Sequence, residues 1–152
     1  MPKVLILLGS KTDEPVMEEC LRYCRWFGLE ADMMVASAHR DPDKVRDLTV
    51  NAREQGYSVI IGAAGMAAAL PGVIAAHTDL PVLGVPLEGG LQGGIDSLLS
   101  IVQMPPGIPV GTVAVGKPGA RNAAVLAARI IGLSDTKVRS KLTEFAKGGY
   151  KI

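Results

Sequence analysis

The sequence is poor in aromatic residues and carries almost no net charge. Aromatic residues make up 4% of its 152 residues, and 16 Lys and Arg against 15 Asp and Glu leave a net charge of +1. Proteins that bind nucleic acid or anionic membranes use basic surfaces, and single-strand binders add aromatic stacking platforms. We therefore expect neither nucleic acid nor a membrane as a partner, and we expect any anionic ligand to be held by a local site.

Cysteine and histidine are also scarce, with two residues of each. Cys20 and Cys24 lie one helical turn apart without a nearby His, which argues against a disulfide framework and a zinc site and predicts buried or half-buried, reduced thiols. No His, Asp and Glu cluster has metal-ligand spacing, so we expect no metal. The apolar run that starts at Val4 ends at Gly9, too soon for a secretory signal or a membrane span. These features predict a cytoplasmic protein.

Apolar β-type runs alternate with helical patterns along the whole chain. The predicted strands are 4–8, 31–36, 59–61, 82–85 and 110–115, and the predicted helices are 14–27, 42–55, 67–76, 95–103, 120–131 and 135–146. Strands that are apolar throughout indicate burial on both faces, and intervening helices require parallel crossovers. We predict one α/β domain over residues 1–152, a three-layer α/β/α sandwich with a five-stranded, flavodoxin-like parallel sheet.

Two of the predicted helices, 67–76 and 120–131, are rich in alanine and can pack closely against a partner. The chain is small and its mean hydropathy is positive, at +0.27. A domain of this size buries only about two-thirds of its unfolded surface. We therefore expect further burial between subunits of a homo-oligomer.

Ligands of open parallel sheets bind at the carboxyl ends of the strands, so the loops that follow the strands are the candidate sites. The first strand is followed by Gly9-Ser10-Lys11-Thr12-Asp13 and then by a helix. Hydroxyls and backbone N–H groups at a helix start can hold a phosphate, but Thr12 or Asp13 could equally serve as a helix cap. The loop has neither P-loop nor dinucleotide-fingerprint spacing, which disfavours a dinucleotide.

The second strand is followed by Ser37-Ala38-His39-Arg40-Asp41-Pro42. Arg offers a planar fork for phosphate and His exchanges protons near neutral pH, so this loop is the strongest candidate for chemistry. The alternative is a surface His and Arg next to a capping Asp.

Later loops carry less chemistry. Residues 62–72 offer only backbone and a small apolar wall, and residues 86–94, with four glycines, are expected to form a mobile loop. His77 is expected at a helix C-terminus, where a cation complements the helix dipole. Lys117 to Asn122 again place polar groups after a strand.

Several of these segments closely resemble the N5-carboxyaminoimidazole ribonucleotide mutases of purine biosynthesis. The most specific are Ser37-Ala-His-Arg-Asp-Pro42 and Asp96-Ser-Leu-Leu-Ser-Ile-Val-Gln-Met-Pro105, and the similarity runs from residue 3 to about residue 145. The pattern is closer to the mutases than to the related carboxylases that use CO2 directly.

The resemblance implies a three-layer α/β/α subunit, a homo-octamer and no cofactor. It implies transfer of a carboxylate from the exocyclic nitrogen N5 to C4 of the imidazole, by decarboxylation and recapture of CO2. His39 would be the catalytic acid/base that moves the proton between N5 and C4. Ser10, Thr12, Ser37 and Arg40 would bind the phosphate or neighbouring groups, and Asp13 would bind the ribose.

The chain departs from this family pattern in its third loop. Where the family usually has Gly-Gly-Ala-Ala-His-Leu-Pro-Gly, this sequence has Gly65-Met-Ala-Ala-Ala-Leu-Pro-Gly72, so Ala69 replaces the family's second active-site His. The leading hypothesis is a mutase. The change motivates two alternatives, a paralogue that carboxylates or decarboxylates another azole ribonucleotide, and a non-catalytic nucleotide-binding module.

Overall fold

Five parallel strands form the centre of the structure, a computed structural model that describes residues 1–152. The strands are β1 (Lys3–Leu8), β2 (Glu30–Val35), β3 (Tyr57–Ala64), β4 (Val82–Pro86) and β5 (Gly111–Thr112). They lie in the order β2-β1-β3-β4-β5, and every neighbouring pair is parallel. This is the predicted flavodoxin-like sheet.

Six α-helices connect and follow the strands. They are α1 (Glu14–Trp26), α2 (Pro42–Val50), α3 (Leu70–Ala76), α4 (Ile95–Val102), α5 (Lys117–Ile131) and α6 (Thr136–Lys147), and a 3-10 turn over Lys11–Asp13 precedes α1. No helix is both long and apolar enough to cross a membrane.

Two apolar cores lie on opposite faces of the sheet, because alternate residues of each strand point to opposite sides. Val4, Ile6 and Leu8 of β1 belong to a core of 24 buried residues that includes α1 and α5. Leu5 and Leu7 belong to a core of 14 buried residues that includes α3 and α4. The three-layer α/β/α arrangement follows from this alternation.

Burial on both faces, predicted for all strands, holds for β1, β3 and β4 but not for β2. Residues 31–35 of β2 are only half-buried, because β2 has a single neighbour at the edge of the sheet. The opposite edge strand, β5, is shorter than predicted. Only Gly111 and Thr112 join the ladder, although Val113 still donates to the Gly84 carbonyl at 3.0 Å.

Two predicted helices are also shorter than expected. Helix α2 ends at Val50, and residues 51–56 form turns that close at Gly56 with a φ of 88°. Helix α3 starts at Leu70 rather than at residue 67, because the Ala68 and Ala69 N–H groups donate to the carbonyls two residues back, in tight turns instead of helical geometry.

Aromatic side chains fix the C-terminal helix α6 on α1. The Phe145 ring of α6 lies 5.2 Å from Phe27, 5.8 Å from Trp26 and 6.1 Å from Tyr23, measured between ring centroids. Edge-to-face pairs of this kind stabilise beyond their buried area. Cys20 and Cys24 are free and fully buried on α1, as predicted.

Candidate functional site

A cleft of about 510 Å³ opens at the carboxyl edge of the sheet, where the loops after β1, β2, β3 and β4 converge. The strand order reverses beside β1, and this is the position at which open α/β sheets bind ligands. The lining residues are Gly9, Ser10, Thr12, Asp13, Ser37, Ala38, His39, Arg40, Ala64 to Leu70 and Glu88 to Gly90. The structure therefore brings together all six site residues that the sequence predicted.

The first loop is held by hydrogen bonds among its own side chains. The Ser10 hydroxyl lies 3.0 Å from the Thr12 hydroxyl and accepts from the Thr12 N–H at 3.3 Å. The Asp13 carboxylate accepts from the Ser10 N–H at 3.0 Å, which completes a capping box. Ser10 thus caps the 3-10 turn, whereas Asp13 is the N-cap residue of α1, as one alternative predicted, but makes no side-chain capping bond there. All three side chains line the cleft.

Partial burial of Asp13 has an electrostatic effect. Loss of hydration raises the pKa of the Asp13 carboxyl, and the hydrogen bond from Ser10 opposes the shift in part. Asp13 is half-buried at the floor of the loop, whereas Thr12 is exposed. A ligand entering the cleft would meet a carboxylate that is held by its own loop.

The second loop presents His39 and Arg40 outward. The Ser37 hydroxyl accepts from the Arg40 N–H at 3.1 Å, and the Ser37 carbonyl accepts from the Asp41 N–H at 2.9 Å. Asp41 then caps α2 through the Lys44 N–H, at 3.4 Å. Both His39 and Arg40 are exposed, and no ion pair within the chain involves Arg40. The guanidinium is therefore free to bind an anion.

The third loop supplies the small wall that the sequence predicted. Ala64 ends β3, and Gly65, Ala67, Ala68 and Ala69 follow the strand. All five line one side of the cleft. None of these residues has a side chain that can donate, accept or move a proton. A planar ligand could approach the backbone closely along this wall.

Glu88 is a cleft residue that the sequence analysis missed. It is the single charged residue of the glycine-rich segment 86–94, and that isolation was the available signal. Its side chain packs over Gly116, where an added Cβ would lie 2.9 Å from a Glu88 carboxylate oxygen. Glycine at position 116 leaves room for the Glu88 carboxylate.

The glycine-rich segment is tied to helix α4 by Asp96 and Ser97, which lie in the first turn of that helix. The Asp96 carboxylate accepts from the Leu91 N–H at 3.2 Å, and the buried Ser97 hydroxyl donates to the carbonyls of Leu87 and Gly94, at 2.8 and 2.9 Å. Gly90, with a φ of 60°, leaves space that the Asp96 carboxylate fills. Asp96 and Ser97 set the position of the segment and do not line the cleft themselves.

Two other candidates lie outside the cleft. His77 is at the C-cap of α3 and its Nδ1 lies 2.9 Å from the Val73 carbonyl oxygen, which matches the predicted structural position. Lys117 begins α5, away from the cleft lining. No three His, Cys, Asp or Glu side chains are grouped as metal ligands would be.

The fold and the cleft define a flavodoxin-like α/β protein with a polar ligand site at the carboxyl edge of its sheet. The sequence profile of the AIR carboxylase family matches residues 3–150. The chain belongs to the AIR carboxylase family.

Three relatives called N5-carboxyaminoimidazole ribonucleotide mutase show the similarity in numbers. The protein of Pyrococcus abyssi is 49% identical over 95% of this chain and 82% of its own length. Those of Vibrio parahaemolyticus and Escherichia coli K12 are 50% and 48% identical, over 94% and 95% of this chain and 89% and 86% of theirs. Among solved structures, Treponema denticola PurE superposes with a TM-score of 0.89 at 26% identity, covering 98% of this chain and 92% of that one.

Proposed function

We propose that this protein is an N5-carboxyaminoimidazole ribonucleotide mutase that produces the 4-carboxy isomer in purine biosynthesis. The observation that carries the proposal is an identity of 48–50% to relatives of that name across nearly the whole chain. The cleft supports it, because the Arg40 guanidinium, the His39 imidazole and the small apolar wall all line the same space. Residues 1–152 would act as a single catalytic domain without a cofactor.

The phosphate end of the substrate fits the first two loops. Arg40 has no partner within the chain and can bind a phosphate through two parallel hydrogen bonds. Ser10, Thr12 and Ser37 present hydroxyl groups to the same cleft. Asp13 would accept a hydrogen bond from the ribose.

His39 would move the proton that the reaction requires. Cleavage of the bond between N5 and the carboxylate carbon releases CO2 and requires a proton at N5, whereas bond formation between CO2 and C4 releases the proton of C4. A single imidazole can give the first proton and take the second, since its ordinary pKa lies near neutral pH. His39 is exposed at the cleft.

A homo-oligomer, an octamer by family resemblance, is part of the proposal. Helix α4 exposes Ile95, Leu99 and Val102, with 40%, 53% and 45% of each residue's surface accessible. Their spacing places them in one stripe along the helix. A second copy of the chain that covers this stripe would remove it from water. The protein is expected to act in the cytoplasm.

One observation favours a second candidate function. Ala69 lines the cleft. The family resemblance implies a second active-site His at this position, so the polar contacts available to the base would differ. A paralogue that carboxylates or decarboxylates another azole ribonucleotide would fit this change.

The decisive experiment compares the two histidines of the chain. Purified wild type should convert N5-carboxyaminoimidazole ribonucleotide to the 4-carboxy isomer, and His39→Asn should lower kcat by about 10²-fold or more, as expected for loss of a general acid/base. His77→Asn is the matched control and should retain activity, because His77 lies outside the cleft. A folded wild type without turnover would overturn the mutase and direct the search to other azole ribonucleotides.

A further inference from the structure

Met66 has a backbone conformation that residues other than glycine rarely adopt. Its φ is 55°, in the left-handed region that favours glycine. The turns that follow are tight, because the Ala68 N–H donates to the Met66 carbonyl at 2.9 Å and the Ala69 N–H donates to the Ala67 carbonyl at 2.7 Å. Strain of this kind persists where the surrounding structure imposes it, and it concentrates at ligand sites.

The position of the Met66 side chain is equally unusual. Met66 lines the cleft, yet 66% of its surface is accessible to solvent. The other residues of this wall are Gly and Ala, apart from Leu70, which is 2% exposed. Met66 is thus the one large side chain of the wall that lies in water. A ligand that enters the cleft would remove this side chain from water, which is favourable.

In the proposed reaction, such a side chain would help to retain CO2. CO2 is small and neutral, so no ion pair can hold it between cleavage of the N5 bond and formation of the C4 bond. Its retention depends on apolar walls and on exclusion of water. A flexible thioether side chain adapts to the surface it covers.

We propose that Met66 covers the bound imidazole ring and keeps the released CO2 in the cleft, an inference that rests on the proposed mutase function. Without this cover, the CO2 leaves before C4 attacks it. The amine then takes its proton and departs as aminoimidazole ribonucleotide, and any carboxylate at C4 comes from dissolved CO2. The identity of residue 66 would therefore determine whether the carboxylate stays with its own substrate molecule.

Isotope exchange tests this inference. Unlabelled N5-carboxyaminoimidazole ribonucleotide is converted in 13C-bicarbonate buffer that contains carbonic anhydrase, and the label in the 4-carboxy product and the released amine are both measured. The wild type should incorporate little label. Met66→Gly should incorporate several-fold more and release more amine, whereas Met66→Leu, which keeps an apolar cover, should behave as the wild type. A reaction without enzyme corrects for spontaneous loss of CO2.

Gln92→Gly is the matched control. Gln92 also has a positive φ, 47°, but it lies outside the cleft lining. Both glycine variants relieve backbone strain and should melt at or above the wild-type temperature, but only Met66→Gly should change the isotope result. Equal label in wild type and Met66→Gly, or equal label in Met66→Leu and Met66→Gly, would overturn the inference while the mutase function stands. A wild type without conversion would overturn both.

Discussion

Asp13 stabilises its own loop and also lines the ligand cleft. Its carboxylate holds the Ser10 N–H, and partial burial raises its pKa above the ordinary value. Between those two pKa values the folded protein binds more protons than the unfolded chain does. The free energy of unfolding therefore falls as pH rises through this window. This penalty, the stability lost because the ionised Asp13 is partly buried, is fully present at neutral pH.

Replacing Asp13 with Asn should remove this penalty. The Asn side-chain oxygen can still accept from the Ser10 N–H, so Asp13→Asn should gain stability relative to the wild type between about pH 4 and pH 7. Urea denaturation of both proteins across this pH range measures the gain. A stability difference that does not change with pH would show that the carboxylate charge has no such effect.

Replacing Ala69 tests the hypothesis that the third loop lacks a second active-site His. It is the N-cap of α3 with a φ of −74°, which any side chain can adopt, and it lines the cleft. Ala69→His should raise mutase turnover by about 10-fold or more, because it returns a polar group to the reacting base. Ala67→His, two residues earlier on the same wall, should give no comparable gain. Lower turnover in a folded Ala69→His protein would indicate that the loop serves a different substrate.

At the scale of elements, Gly84 sets the distance between strand β4 and helix α4. A Cβ at this buried position would lie 2.4 Å from the Ile101 Cγ2 and 2.8 Å from the Val110 Cγ1. Ile101 is fully buried, so it cannot move into solvent. Glycine is required here because the two elements approach closely. A left-handed backbone is not the reason, since the φ of Gly84 is outside that region.

Gly84→Ala should therefore destabilise the protein by about 1–3 kcal/mol, the usual cost of overpacking a core. Chemical denaturation measures the loss. Gly148→Ala is the control, because an added Cβ there has its nearest neighbour at 3.5 Å and should change stability little. An unchanged denaturation midpoint for Gly84→Ala would mean that α4 shifts away without cost.

At the scale of the whole molecule, the apolar stripe of Ile95, Leu99 and Val102 should be an interface between copies of this chain. Leu99→Glu would place a charge in that interface and should reduce the molar mass measured by light scattering after size exclusion. Leu133→Glu adds the same charge at an isolated residue that is 80% exposed, and it should leave the assembly unchanged. An unchanged mass for Leu99→Glu would remove α4 from the interface.

Several features could be predicted from the sequence because they depend on neighbouring residues. The apolar runs of β1, β3 and β4, the capping Asp41 and the polar loops after β1 and β2 are local patterns. Parallel strands bring their carboxyl ends to one edge, so placing Ser10 and His39 in a common cleft required only the correct strand count and connection type. The fold class followed from the same alternation of strands and helices.

Other features were decided by contacts between distant segments. The shortness of β5, the left-handed Met66 and the entry of Glu88 into the cleft each depend on which element packs beside them. The sequence by itself determined the layers of this protein and the loops that carry its chemistry, because side-chain period and turn chemistry act over a few residues. Only the tertiary structure decided the shape of the cleft wall and the apolar stripe left on α4, since these result from backbone approach and burial across the whole chain.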